Sequence, residues 1–183
     1  MRKTGILMPV SSLPSRTGVG EMGAEAYHFL TLLKESGVKI WQILPMNPVG
    51  YGNSPYQPYS SCAGDELYIS LDTMYEEGLL KERPEGFHEY ATKVDYDAVR
   101  LHKEPYLREA FQTFLTSGGC ETKDYQEFAD QSWVYEYGAF RALKKANGGC
   151  CWNEWKQEDK MWPDARTDLA PELETEVQLW SIR

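Results

Sequence analysis

GILMPVSSLPSRTGVGEMGAEAYHFLTLLKESGVKIWQILP, residues 5–45, carries the pattern on which the fold turns. Gly5 to Val10 is a short apolar run closed by Ser11-Ser12-Leu13-Pro14-Ser15, the mark of a strand giving way to a loop. Gly18, Gly20 and Gly23 lead into Ala24 to Ser36, where Ala26, Phe29, Leu30 and Leu33 recur at i, i+3, i+4 and i+7. That spacing predicts an amphipathic helix with Gly37 as its stop. Val38 to Leu44 is apolar again and ends at Pro45. Strand, helix, strand is a βαβ unit with parallel strands and a right-handed crossover. Functional loops of such sheets follow the C-terminal ends of the strands, so Ser11 to Gly23 and Pro45 to Gly64 are expected on one face. Gly18 to Gly23 has GxGxxG spacing, but it lies far from the strand end and no acid closes the second strand. It reads as a tight turn into the helix rather than a dinucleotide loop.

Beyond residue 64 the alternation stops. Leu67 to Leu71 is expected to be extended, and Asp72 to cap a short helix that ends at Gly78. Pro105 suits the first position of a helix with Leu107, Ala110, Phe111 and Phe114 on one face, ending at Gly118-Gly119. Asp124 to Asn147 reads as mostly helical, with Tyr125, Phe128, Trp133, Tyr137 and Phe140 turned to the core. Pro171 opens a last helix carrying Leu173, Val177 and Trp180. The expected division is 1–64 for the βαβ unit and its loop, 65–165 for a mainly helical insertion, and 166–183 for a helix leading back. Two parallel strands without a third cannot make a buried parallel sheet. The expectation is therefore the N-terminal portion of a larger enzyme, with apolar edges that favour self-association.

The 183 residues are 42% apolar and 26% charged, with a formal net charge of -9. An acidic chain without clustered Lys and Arg is a poor partner for nucleic acid or an anionic membrane. No secretory h-region or membrane span is evident. Cys62, Cys120, Cys150 and Cys151 show no CxxC or Cys/His ligand spacing, which suits free thiols in the cytoplasm and gives no metal site.

The run Trp41 to Gly64 crowds aromatics, amides and hydroxyls between turn formers. Sugar rings offer apolar C–H faces to aromatic planes and hydroxyls to polar partners, so Tyr51, Asn53, Ser54, Tyr56, Gln57 and Tyr59 suit a carbohydrate. The same composition also suits a rigid surface loop whose tyrosines pack on the domain. Trp41, inside the second strand, reads as core. Glycoside chemistry needs two carboxylates across the scissile bond. Glu76-Glu77, Asp95 with Asp97, and Glu172 with Glu174 and Glu176 read instead as solvated surface. His28, His88 and His102 sit in helical or linker contexts and suggest no triad.

Residue order adds a resemblance. Ser11-Ser12-Leu13-Pro14-Ser15 with Gly18-Val19-Gly20, Trp41-Gln42-Ile43-Leu44-Pro45, Gly50-Tyr51-Gly52-Asn53-Ser54-Pro55-Tyr56-Gln57 and Ser60-Ser61-Cys62-Ala63-Gly64 resemble the N-terminal region of the 4-α-glucanotransferases, also called amylomaltases or disproportionating enzymes. Leu71-Asp72 with Glu76-Glu77-Gly78-Leu79-Leu80, Val94-Asp95-Tyr96, Lys103-Glu104-Pro105 and Trp152-Asn153-Glu154-Trp155 extend the likeness over nearly the whole chain. Asp65-Glu66 departs from it, standing where the family often has Asn-Pro. The resemblance implies an α/β fold, the start of a (β/α)8 TIM-type barrel with a helical inserted subdomain. It implies transfer of α-1,4-glucan segments between maltooligosaccharides through a covalent ester on an aspartate, with a glutamate as acid and base and no cofactor. Those carboxylates belong to later strands in the family and match nothing here, so these residues alone are expected to be inactive. Ser54, Tyr56 and Gln57 correspond to the donor side of the cleft, and Tyr51 to an outer glucan-binding surface. A non-catalytic glucan-binding or assembly module, and an α-amylase-type hydrolase, are the alternatives.

Overall fold

The computed structural model describes residues 2–87, 93–162 and 169–182; the side chains of Tyr51 and Ile182 also lie outside the description, as does His88. The described residues gather into two compact units, 1–116 and 117–183. That boundary falls inside the span 65–165 expected as one insertion.

The first unit opens with the expected βαβ motif. Strand β1 (Gly5–Leu7) pairs in parallel with β2 (Ile40–Gln42) in the register Gly5↔Ile40 to Leu7↔Gln42. Main-chain bonds extend the pairing by a residue at each end: Lys39 N donates to Thr4 O and Met8 N to Gln42 O, both at 3.0 Å. Between the strands runs α1 (Ala24–Glu35), in which Ala26 and Leu33 are buried, Phe29 is half-buried and Leu30 is exposed. Both strands are shorter than the apolar runs that predict them. After β1 the chain turns at Pro9, and Val10–Ser12 forms a 3₁₀ turn.

Val10, Leu13 and Ala26 form a small core against which Met8, Phe29, Trp41, Met46 and Tyr68 pack. Residues following both strands thus meet in one cluster. Trp41, expected in the core, is half-buried and packs against this cluster; its ring meets Phe29 edge-on at 5.1 Å and its Nε1 donates to Met8 O at 2.8 Å.

Three details of the helical part differ from expectation. Glu66–Tyr68 is a 3₁₀ turn rather than extended chain, because Asp65 caps it by accepting from Leu67 N. The short helix α2 (Leu71–Glu76) is capped by Ser70, which accepts from Thr73 N, while Asp72 pairs with Arg83 at 2.9 Å. Finally, α3 (Tyr96–Thr116) starts well before Pro105. Asp95 begins it, its Oδ1 accepting from Ala98 N at 3.0 Å. Proline inside a helix forfeits a bond to the carbonyl four residues back; that residue is Leu101, which is 77% exposed and within reach of water. Val19, Leu67 and Val99 form a second cluster, with Phe87, Val94 and Tyr96 against it.

The second unit is helical. It comprises α4 (Lys123–Ala129), α5 (Ser132–Ala146), the single turn α6 (Gln157–Lys160) and α7 (Pro171–Ile182). Its core unites Ala139, Ala142, Leu143, Trp155, Leu169 and Val177. The buried stripe of α5 is Val134, Gly138, Ala139, Ala142 and Leu143, not the expected aromatics: Phe128 is exposed, and Tyr125, Trp133, Tyr137 and Phe140 are half-buried. Small residues let α7 approach closely, and the rings close over the edge. No helix among the described residues is long and apolar enough to cross a membrane.

Candidate functional site

The loop after β2 is closed at its base and open at its tip. Asp65 N donates to Met46 O at 2.8 Å, and Asn47 Nδ2 donates to Ala63 O at 2.9 Å. Ser60 Oγ accepts from the N–H groups of Cys62 and Ala63, turning the returning strand. Midway, Val49 and Pro58 form an antiparallel bridge, and Tyr59 N donates to Pro48 O at 2.8 Å. The prolines and the Ser-rich turn therefore build a narrow hairpin from residues that have no strand periodicity.

At the tip the backbone is unusual. Tyr51–Asn53 is a 3₁₀ turn broken by Gly52, whose φ is 81°, followed by Asn53 at φ 52°. Consecutive left-handed residues suit Gly and then Asn, the side chain best able to tolerate that region. The chain then turns over Ser54 to Gln57: Gln57 N donates to Ser54 O at 3.1 Å, and Tyr56 N reaches Ser54 Oγ at 3.4 Å. This turn gathers three of the expected binding residues. Tyr56 is 71% exposed, Gln57 is exposed and Ser54 is half-buried. Tyr59, 39% exposed, flanks them. Tyr51 lies in the same tip by its backbone. The surface offers a free aromatic face and an amide beside it, the chemistry that stacks on and hydrogen-bonds to a sugar ring.

Sequence reasoning missed the charged lattice beneath the loop. Arg100 of α3 grips Asp65 with both guanidinium nitrogens, Nη1 to Oδ1 at 3.0 Å and Nη2 to Oδ2 at 2.7 Å, and Nη1 also reaches Glu66 Oε1 at 2.7 Å. Asp65 Oδ1 further accepts from Leu67 N at 3.0 Å and Oδ2 from Val49 N at 3.3 Å. One turn along α3, the ammonium of Lys103 meets Glu21 at 2.6 Å, Leu67 O at 2.7 Å and Ile69 O at 2.8 Å. Glu21 also accepts from Thr17 Oγ1. Burial opposes the Arg100 charge, but Glu66 and Asp65 together outweigh it and hold its pKa above the ordinary arginine value. Burial of Lys103 prevails over the pull of Glu21, so its pKa lies below that of an ordinary lysine. The spacing of Arg100 and Lys103 at i and i+3 was the available signal; starting the helix at Pro105 hid it. Asp65 and Glu66 are thus committed to Arg100, and the path of the chain at Asp65-Glu66 is set by that pairing.

A family model described as 4-alpha-glucanotransferase matches residues 8–182. Among curated relatives, the 4-alpha-glucanotransferase of Thermus thermophilus is 39% identical over 180 residues, 94% of this chain and 36% of that protein. That of Synechocystis is 38% identical over 188 residues, covering 96% of this chain and 36% of the relative. The chloroplastic/amyloplastic enzyme of Solanum tuberosum is 33% identical over 167 residues. Among solved structures, an amylomaltase from Streptococcus agalactiae in complex with acarbose superposes with a TM-score of 0.86 at 27% identity, over 100% of this chain and 38% of that one. The chain spans little more than a third of the length of the first two relatives. With a match across nearly its whole length, the chain belongs to the 4-alpha-glucanotransferase family.

Proposed function

We propose that this chain carries the donor-side substrate loop of a 4-α-glucanotransferase, an enzyme that moves α-1,4-glucan segments between maltooligosaccharides by retaining double displacement. Tyr56 stacks on the sugar nearest the scissile bond, Ser54 and Gln57 bind its hydroxyls, and Tyr51 serves an outer glucan surface. The observation that carries this reading is the exposed Tyr56 beside Gln57 and Ser54 on a hairpin that the family match covers. No cofactor is involved, and the setting is cytoplasmic. The βαβ unit of residues 1–64 is the start of a (β/α)8 barrel, 65–165 is an insertion, and 166–183 leads back to the barrel. The nucleophilic aspartate and the acid–base glutamate are supplied by chain outside these residues. Asp65 and Glu66 do not serve, being buried and paired with Arg100.

Titration of the 183-residue chain with maltoheptaose, followed by amide NMR, tests the assignment. Saturable shifts centred on Ser54, Tyr56 and Gln57 are expected, and Tyr56→Ala is expected to weaken binding about tenfold, the scale for truncating a binding aromatic. Absence of those shifts at millimolar sugar overturns the loop's role. Transfer of glucose units by the same preparation overturns the placement of the carboxylates elsewhere.

A further inference from the structure

We infer that Arg100 is a positioning residue for the glucan loop: from α3, through Asp65, it fixes both ends of the segment that presents Ser54, Tyr56 and Gln57. The function of the loop rests on the reading above; the mechanical role of Arg100 does not.

Asp65 is where the loop closes. Its backbone N–H donates to Met46 O at the outgoing end, and its Oδ2 accepts from Val49 N, three positions before the Gly52–Asn53 kink. Its Oδ1 holds Leu67 N, which begins the 3₁₀ turn on the returning side. With two guanidinium contacts added, both carboxylate oxygens accept twice, the full capacity of the group. A carboxylate could lean toward either strand of the hairpin if nothing else held it. The bidentate grip of Arg100 removes that freedom, since the planar fork fixes the direction of the carboxylate as well as its distance. The side chain of Asp65 is 1% exposed and that of Arg100 24%, so solvent screens the pair little. Glu66 binds the same Nη1 and resists rotation of the guanidinium. Tyr56 stands 71% exposed at the tip, so the direction in which the hairpin presents it is set at the base, where Asp65 binds both strands.

Hydrogen exchange on the 183-residue chain decides the matter, comparing wild type with Arg100→Met, Arg100→Lys and Asp65→Asn. Arg100→Met is expected to speed exchange of the Val49, Tyr59 and Leu67 amides by at least about tenfold while the amides of Phe29 to Leu33 in α1 keep their rates. Arg100→Lys, a point charge without the fork, is expected to recover only part of the protection. Asp65→Asn keeps an acceptor for Leu67 N but breaks the charge pair, and carries the same comparison if Arg100→Met does not fold. Unchanged loop rates overturn the inference, and so does an equal acceleration in α1, which would mark Arg100 as a general stabiliser of the unit. Maltoheptaose binding is read separately: a wild-type chain that holds its loop through Arg100 yet binds no sugar refutes the glucan assignment alone.

Discussion

Lys103 has three N–H bonds and three acceptors around them, Glu21, Leu67 O and Ile69 O. Fully buried and long-stemmed, it depends on all three. Lys103→Met removes the charge and leaves the Glu21 carboxylate, 10% exposed in its side chain, without its cation. Breaking a buried pair from one side costs about 3–5 kcal/mol, and urea denaturation is expected to give a loss of that size. The pH dependence has a definite sign. The folded pKa of Lys103 is lowered from 10.5 by burial, ahead of the opposing effect of Glu21. Between that lowered value and 10.5 the unfolded chain binds more protons than the folded one, so this group's contribution to stability rises with pH. The stability difference between wild type and Lys103→Met is therefore expected to widen as pH is raised toward 10.5. A difference that narrows there would contradict the assignment.

At the scale of elements, the contact of α5 with α7 turns on Gly138. A Cβ at that position would sit 2.8 Å from Val177 O and 2.9 Å from Ser181 Oγ. Alanine gains about 1 kcal/mol of helix propensity over glycine. Against it stands a backbone carbonyl that can move only with α7, and overpacking costs about 1–3 kcal/mol. Gly138→Ala is expected to lower Tm, whereas a rise would mean that α7 shifts freely.

Element identity was largely legible in the sequence, since α1, α7 and the two strands each announce themselves by apolar spacing or turn residues. The failures share a cause. Pro105 as a helix start, Asp72 as a cap and Leu67 to Leu71 as extended chain were local readings. Each was overruled by a better-placed neighbour: Asp95 for α3, Ser70 for α2, Asp65 for the 3₁₀ turn. Reading Tyr125, Phe128, Trp133, Tyr137 and Phe140 as core overlooks what the tight pair of α5 and α7 needs, the small residues Gly138, Ala139 and Ala142. For the site, the sequence motif picked out Ser54, Tyr56 and Gln57 as a group. The lattice of Asp65, Glu66, Glu21, Arg100 and Lys103 left only the i, i+3 spacing of Arg100 and Lys103 as a trace, because partners some 35 residues apart, and Glu21 and Lys103 further still, carry no periodicity.

Over the whole molecule, the sheet is the exposed element. Among the described residues it has two strands; Ile6, Leu7 and Ile40 within them are 39%, 58% and 48% exposed, and Ile43 just beyond is 41% exposed. Open parallel strands with apolar side chains are poor neighbours for water and good ones for another edge. Light scattering is expected to give a mass that climbs with protein concentration. Introducing a charge by Ile40→Lys is expected to reduce that climb without altering the α5 and α7 pair. A concentration-independent monomer would show that the sheet needs no cover.

Lys103 has one more consequence, for chemical labelling. An ammonium whose every proton is engaged, on a residue with no exposed surface, offers an acylating reagent neither a lone pair nor a path of approach. The other lysines of the chain are exposed or half-buried. A label on Lys103 therefore records an opening of the first unit, so this side chain is a built-in clock for how often the floor of the loop comes apart.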